Sequence, residues 1–547
     1  QSGGDRSLKS FDLIVRNGRI CDGAGNPSFH GDVGVVGDRI AKIGRLDGEN
    51  AKETIDAAGR VVAPGFIDMH NHVDHAILAF PDAESYIMQG VTTSVVGNCG
   101  LSMAPVSDAH RDDVRKYLKP FLDKKSEYSW DWSMLPEFFD CVERSGTILN
   151  IAPLVGQGTL RIAVKGFDPE PATPDEMART KTLLRDELEH GAFGMSSGLI
   201  YPPGSYTSCR EMTELAEVLA PFGAVYTTHI RNEGDHLIES VDEAIAVGEA
   251  NRIPVEISHH KAASRGNWGK VNATLRIMEQ ARERGVDVSC DVYPYPAAMT
   301  TITALLPSQA LEGGIGAMLA RLADPAQRAE FAAAIGEGTM KEENWIRGIG
   351  WKNIVIAECR TEPRYDGMSL EQIIAGRKPD DPFDSFFDWL LDVKAEATMV
   401  LFGMDEEDVR TVIAHPLSAV ISDSWVTAPR AGGRPHPRGY GSFPRLLGKY
   451  VRDERLLSLE DAIRKITSMP ASKIGIRGRG QLQEGFFADV VGFDPATIRD
   501  MATFTNPRQY PEGIDHVIVT GRVVVSRNKL LGARPGKWRR KGPIRSK

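Results

Sequence analysis

Val61-Val-Ala-Pro-Gly-Phe-Ile-Asp-Met-His-Asn-His72 runs from apolar, β-branched residues into two histidines separated by one residue. Side chains alternate faces along a strand, so His70 and His72 are presented on the same side. Two imidazoles at the carboxyl end of a buried strand stand where a (β/α) barrel keeps its chemistry. Imidazole is also the commonest protein ligand for zinc. An isolated His-x-His is more often a surface or capping pair, so the rest of the chain has to decide between these readings.

Outward from this stretch the chain reads as α/β. Eight short apolar segments qualify as strands: 61–69, 91–97, 149–155, 192–198, 224–229, 254–259, 286–292 and 418–423. Helical spacing is clear at 174–190, 208–220, 237–250 and 273–284. Strand followed by helix, repeated, predicts a parallel sheet with helices outside, and eight such units close a TIM-type (β/α)8 barrel over residues 61–474. Near-continuous apolar strands suit a parallel sheet buried on both faces. About 125 residues separate the seventh strand from the eighth. Residues 308–415 are therefore expected to be an insertion that covers the barrel mouth as a lid or pocket wall.

Before and after the barrel the texture changes to strand-turn-strand. Asp12-Leu-Ile-Val-Arg, Asp32-Val-Gly-Val-Val and Ala41-Lys-Ile-Gly precede it; Gly485–Asp494 and His516–Val525 follow it. Residues 8–60 and 475–530 are expected to form one small, discontinuous β-sandwich from the two ends of the chain. Residues 531–547 are read as a solvated basic tail. Ala431-Gly-Gly433 reads equally as a hinge or as an ordinary turn.

At 547 residues the chain is long for one core, and a large domain with an accessory one is the natural division. It is 41% hydrophobic and 25% charged, with a net charge of −9, which argues against a nucleic-acid partner. No apolar run reaches the length of a membrane span. Cys21, Cys99, Cys141, Cys209, Cys290 and Cys359 lack paired spacing and are expected to be free thiols. The first residue is Gln1; removal of a leader or trimming of the start both account for this, and a cytoplasmic location is the default expectation.

The predicted strand ends hold most of the chain's metal-binding side chains. Strand one ends in His70 and His72, strand two in Asn98-Cys99-Gly100, and strand five in Thr228-His229. Strand six ends in Ser258-His259-His260 and strand eight in Ser422-Asp423-Ser424. Taken singly, each has a duller explanation: a buried thiol, a core histidine, a helix cap. Their joint placement at independently read strand ends favours one metal site. The nitrogen, sulfur and oxygen donors suit zinc.

With these residues in view the chain resembles the D-aminoacylases (N-acyl-D-amino-acid deacylases) of the amidohydrolase superfamily, over nearly its whole length. The carriers are Pro64–His72, Gly90-Val-Thr-Thr-Ser-Val-Val-Gly-Asn-Cys-Gly100, Thr228-His-Ile-Arg-Asn-Glu-Gly234, Glu256-Ile-Ser-His-His-Lys261, Asp291-Val-Tyr-Pro-Tyr295, Ser422-Asp423 and His436-Pro-Arg-Gly-Tyr-Gly441. Asn-Cys-Gly is the most specific, because D-aminoacylases use a cysteine where most superfamily members bridge metals with a modified lysine or a glutamate on strand four. Gly194-Met-Ser-Ser-Gly198 offers neither.

The resemblance implies that Cys99, His229 and His259 hold a tight zinc, and that His70, His72 and Asp423 line a second, looser position whose occupancy it leaves open. It implies amide hydrolysis by metal-activated water, with Asp423 as general base and then acid. Lys261, two residues past His259 on the same face of an extended segment, can reach the pocket, as can Tyr293 past strand seven. With Arg438 and Tyr201 these match family positions that grip the substrate carboxylate. Met299 falls where relatives select the substrate side chain and favours a hydrophobic one. The expected partner is a small molecule bearing an amide and a carboxylate. Two competing readings are a related amidohydrolase acting on a cyclic amide, a dipeptide or another N-acyl amine, and a non-catalytic binding protein on the same fold. The retained ligands speak against the second. His260, Gln157 and Asn71 depart from the family pattern.

Overall fold

The computed structural model describes residues 10–122, 128–340, 342–378, 380–426 and 432–542. Its centre is parallel and almost completely buried. Phe66–Asp68, Val91–Val96 and Asn150–Pro153 form one sheet, with Ile67 opposite Thr93 and Ser94 opposite Ile151. A second sheet runs, in order, Ser418–Val420, Val288–Val292, Val255–Ile257, Val225–His229, Gly194–Gly198 and Val155–Gly156, every neighbour parallel. Leu154 alone separates Asn150–Pro153 from Val155–Gly156, so one extended segment serves both sheets.

Two of the helices between these strands start where local chemistry says they should. Pro174–Glu189 is capped by Thr173, whose hydroxyl accepts from the Glu176 amide while Glu176 reaches back, and Pro174 fills the first turn. Cys209–Ala216 repeats the device with Ser208 and Glu211. Leu237–Asn251 and Val271–Glu283 complete the expected set.

Four expectations need correction. The predicted first strand is two strands that break at Gly65. Val61–Pro64 pairs antiparallel with Val490–Phe493 in the terminal sheet, and Phe66–Asp68 alone joins the central one. A side chain at Gly65 would stand 2.2 Å from Thr92 Oγ1, so only glycine lets the chain cross between sheets here. Val-Val-Ala-Pro is buried in either setting, which is why its apolar run could not reveal the switch. The boundary drawn at residue 60 accordingly moves past Pro64.

Second, hydrogen bonding joins all the described terminal strands into one nine-stranded sheet rather than two separately bonded sheets. Phe11–Ile20, Phe29–Val36, Arg39–Gly44, Ala51–Asp56 and Val61–Pro64 come from one end. Val490–Phe493, Ile514–Val519, Arg522–Ser526 and Lys529–Leu530 come from the other. Leu13, Val15, Val33, Ile40, Val490 and Ile518 share its core.

Third, the insertion begins before residue 308. Ala298–Thr301 already belongs to it, pairing antiparallel with Ala397–Leu401, which pairs in turn with Ile354–Cys359. Fourth, the basic tail is docked. Trp538 is buried and stacks on Phe139 at 5.5 Å, and the Arg539 guanidinium donates to Asn150 Oδ1 at 2.6 Å. The aromatic ring and the aliphatic arginine stems outweigh the charge count here. Residues 543–547 of that tail, and Ala431 of the glycine-rich stretch, lie outside the described residues.

The six cysteines are free, as expected. Among the described residues no helix is long and apolar enough to cross a membrane.

Candidate metal centre

The central strands deliver their side chains to one end of the molecule. His229 closes Val225–His229, and His259 lies two residues past Val255–Ile257. Asp423 lies three residues past Ser418–Val420. The Asp423 amide donates to the His70 carbonyl at 2.9 Å and the Ser422 amide to Asp68 Oδ1 at 3.2 Å, which ties the last strand to the first. Cys99, His259 and Asp423 adopt positive φ, 53°, 36° and 47°, a left-handed backbone that side chains with a Cβ avoid. Asp291 Oδ1 accepts from the His259 amide at 2.5 Å, which holds that turn in place.

Two donor groups result, one of His70, His72, Cys99 and Asp423 and one of Cys99, His229 and His259. Within each, the ligand atoms lie within 4.8 Å of one another. Cys99 belongs to both. Its Sγ is 3.2 Å from His70 Nε2 and 3.6 Å from His259 Nε2, and Asp423 Oδ1 is 3.4 Å from His70 Nε2 and 3.6 Å from His72 Nε2.

This donor set fits a metal ion on two counts. Both ring nitrogens of His229, and Nδ1 of His72, are buried and make no hydrogen bond, a costly arrangement unless something else engages them. Burial opposes ionisation of Cys99, yet His70, His229 and His259 outweigh it and hold the thiol well below its ordinary range, as the thiolate that binds metals. Asp423 is likewise held ionised: against the burial penalty stand the Arg438 guanidinium, 2.7 Å from Oδ2, and the surrounding imidazoles.

The residues expected to bind substrate gather here. Tyr201, Lys261, Tyr293, Met299 and Arg438 line one cavity together with His72, Cys99, His229, His259 and Asp423; His70 lies directly behind the Cys99 sulfur. The Arg438 guanidinium sits over the Tyr293 ring at 4.6 Å and the Lys261 ammonium at 5.7 Å, so the cations share one wall. The Tyr201 hydroxyl meets Thr300 Oγ1 at 2.9 Å, and Met299 Sδ accepts from the His436 amide at 3.3 Å. His260 is turned away and pairs with Thr274 Oγ1 at 2.8 Å.

Glu233 was missed, although it stands inside Thr228–Gly234. It receives His259 Nδ1 at 2.8 Å on Oε1, pairs with the Lys261 ammonium, and lies 3.7 Å from His229 Nε2 on Oε2. Its burial resists ionisation, but Lys261, His229 and His259 pull its carboxyl well below the usual range. A carboxylate behind a ligating imidazole fixes the tautomer, here directing Nε2 at Cys99. Its position four residues past His229 was the available signal. Glu343, from the insertion, accepts the Glu233 amide; burial, with Glu233 adding to it, pushes the Glu343 carboxyl up to about 7.

The amidohydrolase family profile matches residues 53–525. D-aminoacylase of Alcaligenes xylosoxydans xylosoxydans is 35% identical over 527 residues, spanning 96% of this chain and 97% of its own. N-acyl-D-glutamate deacylase of the same organism is 36% identical over 522 residues, 94% of each. The structure of N-acyl-D-glutamate deacylase from Bordetella bronchiseptica, complexed with zinc and a phosphonate mimic of the reaction's tetrahedral intermediate, superposes with a TM-score of 0.81 at 35% identity, covering 97% of this chain and 100% of that one. The chain belongs to the amidohydrolase family, within its group of D-aminoacylases and N-acyl-D-amino-acid deacylases.

Proposed function

We propose that this protein hydrolyses N-acyl-D-amino acids to a D-amino acid and a carboxylate, with zinc held tightly by Cys99, His229 and His259 and a second, looser position at His70, His72 and Asp423. The observation that carries this reading is the Cys99 sulfur, shared by both donor groups. A soft thiolate beside imidazoles favours zinc over magnesium or calcium. When bound, such an ion supplies Lewis acidity and lowers the pKa of a coordinated water towards about 7.

The protein's own groups do the rest. Asp423 divides its oxygens: Arg438 holds Oδ2 while Oδ1 faces His70 and His72. The free oxygen takes the proton from the attacking water and hands it to the departing nitrogen, which cannot leave as an anion. Lys261, Tyr293 and Arg438 give the wall where a carboxylate would be received. Met299, with Ala298 and Leu401, makes the nearby surface apolar and favours a hydrophobic side chain over an acidic one.

The same reading takes the central strands as a closed (β/α)8 barrel. Support comes from the Asp423–His70 and Ser422–Asp68 bonds at one seam and the continuous segment through Leu154 at the other. It takes the terminal sheet as an accessory domain.

Metal analysis combined with turnover of N-acetyl-D-methionine and N-acetyl-D-leucine, their L-isomers and a hydantoin tests the proposal. Zinc and D-selective amide hydrolysis are expected. Preference for the L-isomers or for the hydantoin would replace the substrate class.

A further inference from the structure

Beside the donor cavity lies a second, larger chamber. It has about 1220 Å³ of free space, including its open mouth, against about 520 Å³ around the donors. Phe121, Ile200, Tyr201, Glu343 and Trp345 line both, so the two spaces meet. Phe167, Leu306 and Leu311 extend the apolar wall, and exposed Lys116 stands on the outer side. Lys116, Pro120, Ile315 and Gly316 also line a further cavity reaching Leu319 and Arg360, so the path continues towards the surface.

An amide held at the centre has two arms. The amino-acid arm carries the carboxylate and belongs with Lys261, Tyr293 and Arg438, none of which lines the chamber; Tyr201, the fourth residue of that set, stands where the two spaces meet. The acyl arm is left facing Phe121, Ile200 and Trp345. An acetyl group would end at that neck and leave the apolar walls beyond it untouched. Resting on the deacylase reading above, we infer that the chamber receives the acyl group and that the favoured substrates carry a medium-to-long unbranched acyl chain. Water adds across the C–N bond as before, releasing a fatty carboxylate and the D-amino acid. Burying a methylene in such a chamber improves binding by about fourfold.

The experiment is a chain-length series from acetyl to decanoyl on one D-amino acid, D-leucine, with the zinc-loaded enzyme. The inference expects kcat/KM to rise at least about fivefold for each two carbons added until the chamber is filled. Values that are flat or fall from acetyl onward, with acetyl-D-leucine still hydrolysed, overturn it and leave the deacylase reading standing. Should no member be hydrolysed, the deacylase reading fails, and calorimetry with butyrate and decanoate decides the chamber: decanoate must bind more tightly, and equal binding overturns the inference. Ala304→Trp, which fills the chamber from a half-buried position, is expected to collapse the decanoyl-to-acetyl ratio; an unchanged ratio also overturns it. Asp113, Glu342 and Glu343 are acidic exceptions in the lining. A 6-aminohexanoyl substrate outperforming hexanoyl would assign the space to a cationic group instead and overturn the aliphatic one.

Discussion

Asp423 has one oxygen on Arg438 and the other towards the imidazoles, in a left-handed backbone turn that costs of order 1–3 kcal/mol. Such strain is retained only where surrounding bonds impose it, and the hydrogen bond that the Asp423 amide donates to the His70 carbonyl does so here. Asp423→Asn keeps the size and the turn but cannot take a proton. Turnover is expected to fall by about 10²–10⁴-fold while the metal content is unchanged, read by steady-state kinetics beside metal analysis. Glu233 acts one layer further out. Glu233→Gln removes the charge opposite Lys261 and His259, so metal affinity is expected to fall by about 10–100-fold. Competition against a chelator measures this, and partial recovery of activity at saturating zinc would mark the role as positioning. The donors themselves were legible because strand alternation and strand ends are local features. Asp291 was not, and Glu233 offered only its place four residues past His229, because most of what they do lies in contacts with residues far along the chain.

The helices and strands between the donors were read within a few residues, since caps such as Thr173 and Ser208 are written into the sequence beside the helices they start. Gly65 shows the limit. A buried strand on either side of a glycine looks like one strand, and only the packing of Thr92 against it reveals the crossing. The tail shows another. Its positive charge suggested solvent, yet the Ile151 amide donates to the Lys537 carbonyl at 3.0 Å and the Arg539 amide to the Ile151 carbonyl at 2.6 Å, which lays the segment along a central strand. Trp538→Ala is therefore expected to destabilise the protein by about 3–5 kcal/mol, seen as a lower denaturation midpoint. Activity per folded molecule should not change, as the residue lines neither the donor cavity nor the chamber beside it.

For the molecule as a whole, one buried acid outside the centre sets a pH dependence of stability. Glu187 accepts the Leu135 amide on both oxygens at 3.1 Å, and burial, aided by Asp186 and Glu137, pushes its carboxyl up from 4.5 to about 8. A carboxyl whose folded pKa is raised favours folding fully below its unfolded pKa. That contribution is lost as pH climbs from about 4.5 to about 8, by ~1.4 kcal/mol per unit at most. Glu187→Gln should consequently be more stable than the parent at pH 8 and no better near pH 4.5, as denaturant titrations at the two pH values will show. The pairing of Val490 with Pro64 carries a different consequence. During synthesis the early strands can pair with one another, but Val61–Pro64 emerges long before Val490–Phe493, and the sheet that unites the two ends cannot close until almost everything else has left the ribosome. Val61–Pro64 must wait with an unpaired apolar edge, so the newborn chain has reason to depend on chaperones even though most of its central parallel strands pair with the next strand in sequence.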